Sequence, residues 1–165
     1  MTVRNVHTRE LSAPTASVTR LIDGLASDDD ILWPHDQWPA MRFDRPLSVG
    51  AVGGHGPIRY TIEQYEPGHS IQFRFTKPVG FHGWHRFDLE EIDSGRAMLR
   101  HTIEMRLSAG AILQWHIAIR PLHDALMEDA LDRAEFFVSG NSTERRWSPW
   151  VGFLRRMMKK KRKRK

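Results

Sequence analysis

The chain of 165 residues reads as an α+β protein, a curved antiparallel sheet wrapped around a long C-terminal helix. Three observations carry that reading. Four apolar-alternating runs between residues 58 and 107 are joined by short turns. A stretch over 109–138 repeats apolar side chains at helical spacing. A strand-like and a short helix-like segment precede both.

Taken in order, residues 2–11 form a first strand, with Val3, Asn5, His7 and Arg9 alternating against Arg4, Val6, Thr8 and Glu10. Ser12-Ala13-Pro14 offers a helix start, and Val18, Leu21, Ile22 and Leu25 follow at helical spacing until Asp28-Asp29-Asp30 ends the pattern. Residues 31–57 are irregular. Trp33-Pro34 and Trp38-Pro39 disfavour helix at each Trp and mark a loop or broken helix, packed below a loop or lying as a lid. The glycine-rich segment Gly50–Pro57 reads as a mobile turn; no Lys-Ser/Thr follows it, which excludes a phosphate loop.

The sheet signal then strengthens. Tyr60 and Ile62 share one face with Ile58; Phe73 lies between Ile71 and Phe75; His85 alternates with Phe87 and Leu89; Leu99, His101 and Ile103 precede Met105 and Leu107 on the last run. On the long helix Ile112, His116, Ile119, His123, Leu126, Met127, Ala130, Ala134 and Phe137 fall on one stripe, with a kink or restart expected at Pro121. Asp124–Glu128 and Asp129–Arg133 sit on other faces of the helix and read as solvated.

Charge divides the chain. Residues 155–165 hold 9 basic and no acidic side chains, whereas residues 1–154 hold 16 basic and 20 acidic ones. The basicity therefore belongs to a tail over 141–165, set apart from a domain over 1–140. Within the tail Ser148-Pro149 opens a helix, and Trp147, Trp150, Val151, Leu154, Met157 and Met158 form an apolar stripe running into the basic block. That pattern suits an interfacial amphipathic helix at an anionic membrane surface, through Trp150, Leu154 and the 155–165 run; nucleic acid is a weaker partner. There is no Cys, which excludes disulfides, zinc–thiolate sites and a thiol nucleophile. No apolar run has spanning length, and the N-terminal residues lack a signal-peptide core. A soluble, cytoplasmic protein, peripheral at the membrane through its tail, is the expectation.

Strand, short helix, curved sheet and long C-terminal helix, with the segments Arg59–Gly68, Phe81–Leu89 and Leu122–Leu131, resemble the START-like helix-grip (SRPBCC, birch-pollen-allergen-like) superfamily. The likeness spans residues 2–138 and is to the bacterial polyketide cyclase/dehydrase and lipid-transport branch. It implies a mostly apolar cavity between sheet and long helix, holding a small apolar or lipid-like ligand. The alternative it implies is a cyclase- or dehydrase-type enzyme.

The inward faces supply the candidate residues. Tyr60, Ile62, Phe73, Phe87, Leu99, His101, Ile103, His116 and His123 are expected to bind the ligand, and His85, His101 and Tyr60 are candidates for acid–base chemistry. Three imidazoles, His85, His101 and His116, would suit zinc, but no local spacing pairs two ligands, so neither metal nor cofactor is expected. Neither a Ser–His–Asp ordering nor paired inward carboxylates support hydrolysis.

Overall fold

A computed structural model describes residues 1–141 and 146–162, with side chains described to residue 158. In chain order come β1 (Thr2–Leu11), α1 (Thr15–Val18), α2 (Arg20–Asp23), β2 (Arg42–Phe43), β3 (Val52–His55), β4 (Ile58–Glu66), β5 (Ser70–Lys77), β6 (Phe81–Asp93) and β7 (Arg96–Leu107). Then follow α3 (Ala109–Gln114), a π-helical turn (Trp115–Ile119), α4 (Arg120–Ser139) and α5 (Pro149–Arg162). All strands join one antiparallel sheet in the order β1-β7-β6-β5-β4-β3-β2, so β1 closes the edge of the β4–β7 meander beside β7.

Period-two alternation puts one face of this sheet against the helices. Residues opposite one another in an antiparallel pair share a face, and His7 pairs with His101, Phe87 with His101, His85 with Ile103 and Phe73 with His85. Gly83 completes the inner row of β6: a Cβ there would stand 2.4 Å from that of Met105, so only glycine allows the two strands to approach so closely. The glycine-rich segment expected as a turn supplies β3 in its middle, paired with β2 and β4.

The long helix departs from a single stripe. Pro121 has no N–H, so the Ile117 carbonyl loses its ordinary donor four residues on, and the chain widens into a π-turn just before it. The extra residue rotates the preceding face. Ala111 and Trp115 are buried in place of Ile112 and His116, and His116 is exposed. Beyond Pro121 the stripe returns with Leu126, Met127, Ala130 and Ala134 buried, while Phe137 is exposed.

Helix α5 lies on the domain. Val151 joins the main core, and Arg155 is buried too. Trp150 donates its indole N–H to the Ile117 carbonyl at 2.7 Å, satisfying the acceptor that Pro121 left without a donor. The expected stripe is thereby split: Val151 faces in, Leu154 and Met158 are half-buried, and Trp150, Phe153 and Met157 face out. Among the described residues no helix is long and apolar enough to cross a membrane.

Among the described residues the core falls into two clusters. One gathers Leu21, Ile22, Trp33, Ile62, Phe73, Phe87, Leu99, Leu126 and their neighbours; the other holds Val3, Phe81, Ile103, Met105, Leu107, Ala111 and Trp115. Trp33 and Trp38 are both buried, Trp38 edge-on to Trp147 at 5.8 Å.

Candidate functional site

Between the two apolar clusters runs a seam of imidazoles. On β6 it falls at His85, between Phe87 of one cluster and Phe81 of the other; on β7 it falls at His101, between Leu99 and Ile103. His85 Nδ1 and His101 Nε2 are 3.2 Å apart, so one donates to the other. The His85 ring is stacked between Phe73 (4.7 Å, 25°) and Phe75 (5.0 Å, 29°), with Tyr60 edge-on at 4.7 Å. His101 packs against Phe87 at 4.6 Å and His123 at 5.0 Å. At the other end the Tyr60 hydroxyl and His55 Nδ1 are 3.1 Å apart, and His55 packs on Trp33.

Each imidazole has two ring nitrogens, and the seam leaves several of them unanswered. Among the described residues His85 Nε2, His101 Nδ1 and both nitrogens of His123 are buried without a hydrogen-bond partner. An orphaned buried polar atom costs about 1–3 kcal/mol, so such groups are ordinarily satisfied by protein, water or ligand. Burial pulls the His85 and His101 imidazoles well below their ordinary range and takes His55 down to about 3. Burial also raises the Tyr60 phenol well above its ordinary range. The seam is therefore electrically neutral near pH 7: neutral imidazoles, each with one donor and one acceptor nitrogen, and a phenol that keeps its proton.

Of the residues expected from the sequence, Tyr60, Ile62, Phe73, Phe87, Leu99 and Ile103 are all buried on the inner face, with His85 and His101 among them. His123 reaches the same seam from α4. His116 does not, because the π-turn carries it outward, and the three-imidazole zinc arrangement it would have completed does not form.

Sequence reasoning missed His55, hidden in the glycine run, and the polar face of β1. Asn5, His7 and Arg9 alternate inward and meet acids spaced along α4. Asn5 Nδ2 donates to Asp124 Oδ1 at 3.0 Å, and His7 reaches Glu128 at 2.9 Å and Asp124 at 3.2 Å. Arg9 bridges Glu128, Asp132 and Glu135. Asp124 and Glu128, expected in solvent, are thus paired across the interior edge. The legible signal was there: two basic residues on the inward set of β1, and carboxylates four apart on the helix.

A curved seven-stranded antiparallel sheet gripping a broken C-terminal helix decides the architecture. The chain has the START-like helix-grip fold. Solved structures of this shape include CalU16 from Micromonospora echinospora, at 15% identity over 94% of this chain and 83% of that one, with a TM-score of 0.58. A Thermobifida fusca protein matches at 15% identity over 89% and 99%, TM-score 0.64. Norcoclaurine synthase from Thalictrum flavum, solved with dopamine and hydroxybenzaldehyde, matches at 15% identity over 87% and 90%, TM-score 0.61. No protein-family model matches the sequence, and none of the curated proteins does. Helix-grip likeness at this identity is a statement about fold; the chemistry rests on this chain's own side chains.

Proposed function

We propose that this helix-grip protein binds a small, largely apolar ligand bearing a polar group at the histidine seam. The observation that carries the reading is a set of nitrogens unpartnered among the described residues, His85 Nε2, His101 Nδ1 and His123 Nε2, between two apolar clusters. Apolar walls provide affinity, and a few convergent polar atoms orient the ligand. The complex of norcoclaurine synthase with dopamine and hydroxybenzaldehyde supports a small aromatic or apolar occupant.

The same atoms admit turnover. Tyr60 keeps its proton with its hydroxyl 3.1 Å from His55 Nδ1, and a phenol donor beside a neutral imidazole is the pairing that cyclisation or dehydration chemistry uses. Native mass spectrometry of the purified chain tests both readings. A small molecule should co-purify with the wild type and be lost from His101→Leu. Recovery of the molecule in altered form after incubation would favour the enzyme. A wild type that carries nothing, and that binds an apolar fluorescent probe no better than His101→Leu, would overturn the binding reading.

The outer face of α5 supports a second, peripheral contact. Trp150 and Phe153 stack at 5.5 Å and 20° and stand exposed with Met157, ahead of the basic C-terminal run. An anionic membrane surface suits this combination of exposed apolar side chains and positive charge.

A further inference from the structure

We propose that His7, His123 and Asp124 form a binding site for a divalent first-row transition-metal ion of the zinc type. One ligand atom from each, two imidazole nitrogens and a carboxylate oxygen, lies within 4.8 Å of the others. His7 Nε2 is 3.2 Å from Asp124 Oδ1, and His123 Nδ1 is 3.5 Å from the same oxygen. Ligands held 2.0–2.1 Å from a tetrahedral zinc ion lie about 3.3 Å apart, so both separations are those a shared ion imposes.

The hydrogen bonds around the triad point the same way. Glu128 Oε1 is 2.9 Å from His7 Nδ1 and accepts the proton of that nitrogen, so an ion at Nε2 would replace the proton which that nitrogen shares with Asp124 Oδ1 at 3.2 Å. A ligating histidine ordinarily has this carboxylate partner on its far nitrogen. Among the described residues His123 has both ring nitrogens buried without a hydrogen bond, and Asn5 Oδ1, whose amide partner atom donates to Asp124, is also buried and unpartnered. A cation would answer the His123 lone pair and share Asp124 with Asn5 and with Arg120, whose Nε is 3.5 Å from the other carboxylate oxygen. Two imidazoles with one carboxylate favour zinc, iron, nickel or copper over the harder calcium and magnesium. Because the ligands come from β1 and α4, the ion would tie the sheet edge to the long helix. It would sit at the end of the seam, where His123 packs against His101 at 5.0 Å.

The test uses the full chain without a tag, stripped by chelation and titrated with Co²⁺, then with Zn²⁺. One Co²⁺ should bind per chain with visible ligand-field absorption, Zn²⁺ should displace it, and the thermal midpoint should rise with saturation. His7→Gln and Asp124→Asn should each weaken binding by at least about 100-fold, and Glu128→Gln by about 10–100-fold. His69→Gln, an exposed histidine away from the triad, should bind as the wild type. Circular dichroism checks that each variant folds; if Asp124→Asn does not, Glu128→Gln and His7→Gln decide. The proposal is overturned if the wild type takes up no stoichiometric Co²⁺, or if the folded triad variants bind it unchanged.

Discussion

The guanidinium carbon of Arg155 lies 3.4 Å from the centroid of the Trp147 ring. It is also 4.5 Å from Trp38, and the two indoles meet edge-on at 5.8 Å while both donate to Asp129 Oδ2, at 2.7 and 2.9 Å. Arg155 further donates to the Gln37 carbonyl. The first basic residue of the C-terminal run is thus part of the domain interior, and it holds α5 in place. Arg155→Leu should destabilise the fold by about 1–2 kcal/mol in urea melts, the range of a desolvated cation–π contact. Hydrogen exchange over 149–158 should accelerate. Arg155→Lys should recover only part of the loss, since a planar guanidinium stacks where an ammonium does not. Unchanged exchange in Arg155→Leu would mean that α5 is held by other contacts.

His85 and His101 should behave as a coupled pair. His85→Phe removes one orphaned nitrogen but strands His101 Nε2, and it should cost about 1–3 kcal/mol. Changing both residues to apolar ones removes all of the stranded atoms, so the double variant should be more stable than the single costs sum to. A double-mutant cycle with coupling below about 0.5 kcal/mol would contradict the 3.2 Å contact.

Acid should unfold the protein through its buried imidazoles. His85 and His55 are held neutral below the ordinary 6.5, His55 down to about 3, by burial and by the neighbouring imidazoles. The groups around His85 are Tyr60, His55, His101 and His123. A depressed folded value means that the unfolded chain takes up the proton first. Their stabilisation is therefore full above about pH 6.5 and falls as pH drops toward 3. The thermal midpoint should decline across that window, and less steeply in His85→Phe. Equal slopes in the two proteins would remove His85 from the account.

Membrane attachment should depend on the outer face of α5. Phe153→Ser with Met157→Ser should reduce co-sedimentation with phosphatidylserine-containing vesicles by about tenfold or more, from two partly buried side chains. Added salt should weaken binding further, since each basic residue near the surface contributes about 1 kcal/mol. Vesicle binding undiminished in the double variant, or DNA binding in its place, would remove the membrane reading.

The sequence by itself determined the sheet from β4 to β7 and the inward direction of Tyr60, His85 and His101, because a period of two leaves each strand only two faces. It also placed His123 on the buried side of the long helix. Periodicity states which way a side chain points and not what it meets. The contact of His7 with Asp124 joins residues 117 apart in the chain, and only the closure of β1 beside β7 brings them together. His116 left its expected stripe because the carbonyl freed at Pro121 opened a π-turn, a backbone adjustment that side-chain spacing does not encode. Arg155 is buried although charge composition pointed it outward, since two indole faces and a carbonyl, assembled from distant segments, replace its water.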